Sequence, residues 1–317
     1  MLRYILKRVG LAAITLFLLS VIVFALSQML PGNVARAVLG QFATQEAIDS
    51  LNHQIGADRS AVVQYLDYMR SFVQGDLGLS LASQTPVWSI LQPALANSLK
   101  LAALAFVIVV PLSILGGIVA GLRSGTSGDR TITIFGLSMS AMPEFVTGIL
   151  LILVFVIWLG WLPVTAQWNE GAGALTQVRH LLLPSLCLAL VLFGYIARIT
   201  RAGVIEAADA DYTRTAYLKG LPTRTVIRRH VLRNALLPTI AVVATQTSYL
   251  VGGLLIVEGL FNYQGIGLQV YLSAQQKDFT VLTSGVLLLG LVVLFVTLVA
   301  DIVYGLLNPR VRFGTAE

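Results

Sequence analysis

Long apolar stretches without charged residues alternate with polar segments along the 317-residue chain. A membrane-spanning helix needs about 20 mostly apolar residues. Stretches of this kind lie at about 9–30, 99–121, 133–160, 180–200, 235–257 and 280–306. The third contains Glu144 directly after Met142-Pro143. The pattern predicts an all-α polytopic membrane protein with six transmembrane helices.

Composition and the placement of charge agree with a membrane location. Only 11% of the residues are charged and 56% are apolar, against about a quarter charged in a soluble domain, which excludes an ordinary soluble protein. A cytoplasmic N-terminus places 15 of the 21 lysines and arginines inside, so both termini are expected in the cytoplasm. The first span is too long for a signal-peptide core. We expect a retained anchor, preceded by MLRYILKRVG as a short elbow on the inner surface.

The segment 31–98 is predicted to form a small helical cap on the outer face. Apolar residues recur at helical spacing within 60–73, and Gly75 is placed to stop that helix. An earlier helix is expected to begin near Thr44, with Glu46 near its start. The cap is either a docking or gating element, or a lid that only packs on the spans.

The segment 198–233 carries 11 charged residues among its 36 positions. At about 2.5–3.5 kcal/mol for each basic residue at mid-bilayer, its eight Lys and Arg would cost on the order of 20 kcal/mol there, so it lies in water or against a protein. A short helix is predicted from Asp211, ending at Gly220, with a second helix starting at Leu221-Pro222. Such a helix fits a partner's groove; alternatively, the loop fixes topology and touches anionic lipid.

The sequence lacks the motifs that would make the chain an ATPase or another enzyme. G-x-x-x-x-G-K-[ST], H-E-x-x-H and G-x-S-x-G are all absent, and the chain has one cysteine and three histidines. No cofactor or metal is therefore expected in this chain, and a membrane-embedded enzyme is disfavoured. Glu144 either faces an inner cavity or is a polar partner to a neighbouring helix. Glu258 opens a Gly- and amide-rich outer loop, a turn or partly re-entrant segment. The candidate pathway-lining residues are Glu144, Glu258, Asn262 and Gln264.

The run DYTRTAYLKGLPTRTVIRRHVLRNALLP at 211–238 resembles the signature loop of transmembrane permease subunits of bacterial ABC importers, in the dipeptide/oligopeptide/nickel branch. Supporting similarities are the opening MLRYILKRV, PGN at 31–33, GADRSAVVQYLDYMRSFVQGDLGLSL at 56–81, VEGLFNYQGIG at 257–267 and DIVYGLLNPRVR at 301–312. The sequence Glu206-Ala207-Ala208 also occurs. Tyr212 stands where the shorter sugar-importer form of the motif has glycine, so Gly220 is assigned as the functional glycine.

The resemblance implies that the short helix is a coupling helix, which docks on a separate ATPase subunit. The residues that would make or shape this contact are Asp211, Tyr212, Arg214, Thr215, Ala216, Lys219 and Gly220. It further implies a second homologous permease subunit, one or two ABC ATPase subunits that bind ATP and Mg, and an extracytoplasmic substrate-binding protein. The protein would lie among lipids in the bacterial inner membrane, and no nucleic-acid partner is expected.

The organisation expected from this resemblance has four parts. They are an elbow and first transmembrane helix at 1–30, the outer cap at 31–98, a five-helix permease core at 99–309 with its coupling loop at 198–236, and a cytoplasmic tail at 310–317. Di- or oligopeptides are the expected solutes, with nickel, glutathione, an opine or a sugar as alternatives. The competing class is an ion-gradient-driven secondary carrier or channel.

Overall fold

The structure is a computed structural model that describes residues 2–29, 39, 42–54, 56, 58–169 and 171–307. The predicted tail at 310–317, PGN at 31–33 and the rest of 30–38 lie outside the described residues. Regular secondary structure in the described part is helical. The helices are α1 (Leu2–Met29), α2 (Gln45–Gln54), α3 (Ala61–Val73), α4 (Val87–Leu122), α5 (Ser127–Ala141), α6 (Glu144–Leu151), α7 (Ala174–Asp209), α8 (Asp211–Leu218), α9 (Thr223–Val226), α10 (Leu232–Leu260), α11 (Ile266–Gln276) and α12 (Phe279–Leu307). A π-helical turn follows α6 at Ile152–Trp158, and another joins α9 to α10 at Ile227–Val231.

The protein is an all-α polytopic membrane protein. Among the described residues, four helices are long and apolar enough to cross a membrane, namely α1, α4, α7 and α12. The third and fifth predicted spans correspond to bent helix pairs, at 127–158 and 223–260, which bring the number to six if each pair is one span.

The predicted third span is not one straight helix, because α5 and the segment Glu144–Trp158 meet at 114°. Pro143 lacks a backbone N–H and disfavours the helical conformation of the residue before it. Met142 accordingly has an extended backbone, with ψ 137°, and a new helix starts at Glu144. The fifth predicted span bends less, by 46°.

Three predicted boundaries fall inside continuous helices. The first ten residues and the first span form one helix, α1, from Leu2 onward. The part of α1 that is long and apolar enough to cross a membrane begins at Arg8, and the elbow on the inner surface stays a prediction. The segment 198–209, predicted as the start of the coupling loop, belongs to α7. Similarly, α4 begins at Val87, within the predicted cap. Each of these helices continues beyond its apolar stretch, and α4 does so through Pro93.

The described chain divides into two compact units. The first contains 99–263 and 295–307, and α7 is its central helix, with fifteen buried residues. Small residues let the neighbouring helices approach α7 closely. A Cβ added to Gly117 of α4 would lie 2.6 Å from the carbonyl oxygen of Ala197, and a Cβ on Gly194 of α7 would overlap the backbone of Gly136 in α5.

The second unit contains 2–98 and 264–294. The two predicted cap helices are confirmed as α2 and α3, and α3 ends in a turn in which Gly75 has φ +82°. The apolar core of this second unit consists of Leu77, Val87, Leu91, Ala94, Ile266 and Val281. The carboxylate of Asp278 is buried in this unit and accepts hydrogen bonds from Ser80 Oγ at 2.5 Å and from the backbone N–H groups of residues 81, 82 and 281.

Candidate functional site

The predicted coupling helix is α8, an eight-residue helix that follows α7 after one extended residue, Ala210. One face of α8 is fixed to the end of α7. Thr213 is buried, and its Oγ1 donates a hydrogen bond of 2.7 Å to the carbonyl oxygen of Ala207. Ala216, one turn later, is also buried. These contacts hold α8 against the end of α7 by one side only.

The C-terminal end of α8 has the geometry that the sequence predicted. Gly220 has φ +75°, in the left-handed region, where glycine pays no steric cost. The N–H of Gly220 bonds the carbonyl of Tyr217 at 2.9 Å, and the N–H of Leu221 bonds that of Ala216 at 3.3 Å. This pair of bonds is a Schellman motif, so the predicted stop at Gly220 is confirmed. The chain then turns at once into α9.

The opposite face of α8 is exposed and mixes charge with large apolar side chains. Of the seven residues predicted for the ATPase contact, Ala216 is buried and the other six are exposed: Asp211, Tyr212, Arg214, Thr215, Lys219 and Gly220. The structure adds exposed side chains that the sequence analysis missed. Leu218 is 82% exposed, and Tyr217 and Leu221 are exposed beside it. The available signal was their apolar character in a segment too charged for lipid.

The end of α7 and the start of α10, on which α8 is mounted in the chain, pack tightly against each other. Val204 and Ala207 of α7 form a buried cluster with Val231 and Ala235, at the junction leading into α10. A Cβ added to Gly203 would lie 2.5 Å from the carbonyl oxygen of Ala235, so the two helices are in backbone contact there. A displacement of α8 would therefore be passed to α7 and α10 together, because packed helices shift as units rather than deform.

A bidentate ion pair joins α7 to the first turn of α5. Arg201 Nε lies 2.6 Å from Asp129 Oδ1, and Nη2 lies 2.8 Å from Oδ2. Asp129 is buried and also accepts a hydrogen bond from the backbone N–H of Gly125 at 2.9 Å. A two-pronged contact of this kind fixes orientation as well as distance. The helix that carries α8 is thus connected to α5.

The candidate pathway residues have different surroundings. Glu144 is half-buried at the start of α6, and its backbone oxygen accepts a bond of 3.2 Å from Cys187 Sγ. Asn262 is exposed, and its φ of +49° places it in the turn that ends α10. Gln264 is exposed in the second unit, where its backbone oxygen accepts a bond from Asn97.

Glu258, the remaining pathway candidate, is fully buried near the end of α10. Its backbone oxygen accepts a hydrogen bond of 2.8 Å from the N–H of Tyr263. Burial and the charge of Glu258 raise the pKa of the Tyr263 phenol. The predicted outer loop is thus a tight turn followed by the 11-residue helix α11.

Comparison with known proteins identifies the family. The family described as "Binding-protein-dependent transport system inner membrane component" matches residues 113–313, and its N-terminal companion matches 1–102. A di/tripeptide transport system permease protein of Pseudomonas aeruginosa is 33% identical over 98% of this chain and 99% of its own length. A glutathione transport system permease protein of Escherichia coli is 35% identical over 99% of this chain and 100% of its own.

Among solved structures, the crystal structure of an amino acid ABC transporter with histidines matches 69% of this chain and 92% of its own chain. The sequence identity is 17% and the TM-score is 0.48, so the likeness is distant. The two permease relatives extend over nearly the whole chain, and the family match covers both its N-terminal and its C-terminal parts. The chain therefore belongs to the binding-protein-dependent inner-membrane components, as an ABC importer permease of the peptide/nickel branch.

Proposed function

We propose that this permease imports di- or oligopeptides and forms half of a translocation pathway with a second permease subunit of the same family. Relatives whose names specify di/tripeptides and glutathione support small peptides as the solute class. We also propose that the chain is non-catalytic and holds no cofactor. In support, its sequence lacks the phosphate-binding loop, so ATP and Mg would be bound by partner ATPase subunits.

The proposed orientation places both termini and α8 in the cytoplasm. It is supported by the basic residues, 15 of 21 of which would then lie inside. The same orientation puts residues 159–169, which precede α7, and the cap helices α2 and α3 outside. There a substrate-binding protein would deliver the solute.

The observation that carries the coupling role is the geometry of α8. Its inner face is fixed by Thr213 and Ala216, while Leu218 projects outward with 82% of its surface exposed. Exposed apolar side chains on a short, well-anchored helix are typical of a helix that docks in a groove. On this proposal, Leu218 and Tyr217 enter the ATPase groove, and the surrounding charges set the orientation of docking.

The test is copurification of the ATPase subunits with a tagged permease that carries Leu218→Asp. Burying a leucine is worth about 1.5–3 kcal/mol, which corresponds to a loss of affinity of about tenfold to a hundredfold. The matched control is Leu175→Asp, because Leu175 is 85% exposed near the start of α7, at the other end of that helix. Recovery of ATPase should fall in the first variant and not in the second. Equal recovery from both would contradict docking through α8.

The transport role itself is tested with the complete complex in proteoliposomes. Uptake of a dipeptide should require ATP and the binding protein. Competition by unlabelled glutathione and by nickel ions then separates the solute classes. Uptake that follows an ion gradient without ATP would overturn the proposal.

A further inference from the structure

Glu144 is an acidic residue within a membrane-spanning pair of helices, at the point where the pair breaks. It is the first residue of α6, directly after the bend at Met142-Pro143. A carboxylate within a membrane span is costly, and intramembrane acidic residues usually have a partner or a function. The surroundings of Glu144 therefore decide which of these applies.

Glu144 has no partner among the residues that the structure describes. Its Oε2 is buried and accepts no hydrogen bond. The only described hydrogen bond involving Glu144 outside its own helix goes to its backbone oxygen, from Cys187 Sγ. None of the ion pairs found in the described chain includes this carboxylate. A polar partnership with a neighbouring helix, one of the two interpretations open from the sequence, is thus not observed.

The neighbouring helix leaves space for this carboxylate. A Cβ added to Gly253 of α10 would lie 2.6 Å from Glu144 Oε1 and 3.1 Å from Cδ. Any other residue at 253 would displace the acidic side chain. The bare backbone of Gly253 therefore allows the carboxylate to occupy its present position.

A second polar group on the same face also lacks a partner. Thr147 follows Glu144 by three residues on α6, and residues at that spacing share a helix face. Its side chain is only 2% exposed, and its Oγ1 makes no hydrogen bond within the described structure. A threonine in a helix can satisfy its hydroxyl on the carbonyl one turn back, as Thr200 does with Ile196. Thr147 leaves its hydroxyl without a partner in the described structure, one turn after the acid on the same face of α6.

We propose that Glu144 and Thr147 form a binding site for the ammonium group of the translocated solute. An ammonium group offers three N–H donors and no acceptor. It therefore suits a carboxylate oxygen and a hydroxyl oxygen that receive no hydrogen bond from the described protein. A metal ion fits less well, because no group of three metal-ligating side chains occurs among the described residues. This inference rests on the proposed function, since peptides and glutathione both carry an α-ammonium group.

The first experiment separates a binding role from a structural one, in the complete complex with Glu144→Gln. ATP-driven uptake of Ala-Ala should fall about tenfold or more, because one charge-assisted contact with the solute is lost. The melting temperature should stay equal or rise, because the variant removes an unpaired charge whose Oε2 atom is buried. The matched control is Glu46→Gln, which changes an exposed carboxylate in α2 and should alter neither quantity. A fall in uptake and melting temperature together would mean a structural role and would overturn the proposal.

The second experiment tests the ammonium group directly. Ala-Ala should raise the melting temperature of the wild-type membrane complex without its binding protein, whereas N-acetyl-Ala-Ala should not. The shift should disappear in Glu144→Gln and weaken in Thr147→Val. Equal shifts with both peptides, or in both wild type and Glu144→Gln, would refute ammonium recognition. So would loss of the second permease from the Glu144→Gln complex, which would assign the carboxylate to the subunit interface. Absence of ATP-driven peptide uptake by the wild type would instead refute the proposed function, and the inference with it.

Discussion

Replacing Gly220 with valine changes the backbone preference at one position and little else. Gly220 is exposed, and no atom lies within 4 Å of the position that a Cβ would take. The substitution therefore causes no collision with a neighbour. Its cost arises from φ +75°, where an L-residue loses roughly 1–2 kcal/mol and a β-branched residue is especially disfavoured.

The cost should appear as a change in the population of one local conformation. In the left-handed form, the N–H of Leu221 reaches the carbonyl of Ala216, and this contact sets the path from α8 into α9. A penalty of about 1.4 kcal/mol reduces the population of that form about tenfold relative to its alternatives. We expect ATP-driven uptake to fall by up to about tenfold and ATP hydrolysis to lose its dependence on solute. Membrane insertion should be unchanged.

Two control variants make the experiment specific. Asparagine tolerates the left-handed region better than other residues, so Gly220→Asn should retain most of the uptake. Gly75, at the end of α3, has φ +82° and likewise no atom within 4 Å of its Cβ position. Gly75→Val should therefore destabilise its turn by a similar free energy without uncoupling ATP hydrolysis from transport. Uptake and hydrolysis are measured in proteoliposomes at equal protein content.

Two results would refute the reasoning about Gly220. The first is normal solute-stimulated hydrolysis and uptake in Gly220→Val, because then the turn geometry does not matter for coupling. The second is equal uncoupling in Gly75→Val, because then the loss follows from general destabilisation.

Two further predictions concern stability. Asp278→Ala leaves the donors around that carboxylate unpaired, including Ser80 Oγ, and should lower the free energy of unfolding by about 2–3 kcal/mol. Thermal unfolding in detergent should show a lower melting temperature, with Asp278→Asn between Asp278→Ala and wild type. An unchanged melting temperature would contradict the buried network. Gly194→Ala places a methyl group against the backbone of Gly136 and should cost about 1–3 kcal/mol or more by overpacking. Gly173→Ala, where nothing lies within 4 Å, should be neutral, and equal melting temperatures for both glycine variants would argue against the close helix approach.

The sequence predicted helix ends well where a single residue decides the backbone conformation. Gly75 and Gly220 both have positive φ and both end their helices, as predicted. The break at Pro143 follows from the same kind of local rule, although one continuous span was predicted there. Proline and glycine act through their own dihedral angles, so no knowledge of distant neighbours is needed.

Features that depend on distant contacts were not predictable. Pro143 allows a break but does not fix its angle of 114°, and the approach of Gly194 to Gly136 joins residues 58 positions apart. Helix ends at charged residues also differed from the prediction. A helix such as α7 can continue past the bilayer into water, where its polar residues are tolerated.

The candidate coupling surface was predictable in position but not in composition. The charge of the segment indicated that it lies outside the bilayer, and the resemblance assigned Ala216 to the contact. Only the structure shows that Ala216 faces inward and that Leu218 and Tyr217 face outward. The direction of a side chain on an eight-residue helix depends on how that helix is attached, here through Thr213.

For Glu144, the local sequence predicted a polar position but not whether the carboxylate has a partner. An acidic residue after a proline in an apolar stretch indicated a polar position within a span, and both a contact with a neighbouring helix and an inner cavity agreed with it. The choice between them depends on α10, whose Gly253 stands 109 positions later in the sequence and leaves room for the carboxylate without offering it a donor. A partner side chain at 253 would have made Glu144 a structural residue. A glycine there leaves the carboxylate open to a group from the solute or from a neighbouring subunit. The uptake, the melting temperature and the subunit content of the Glu144→Gln complex distinguish these two sources.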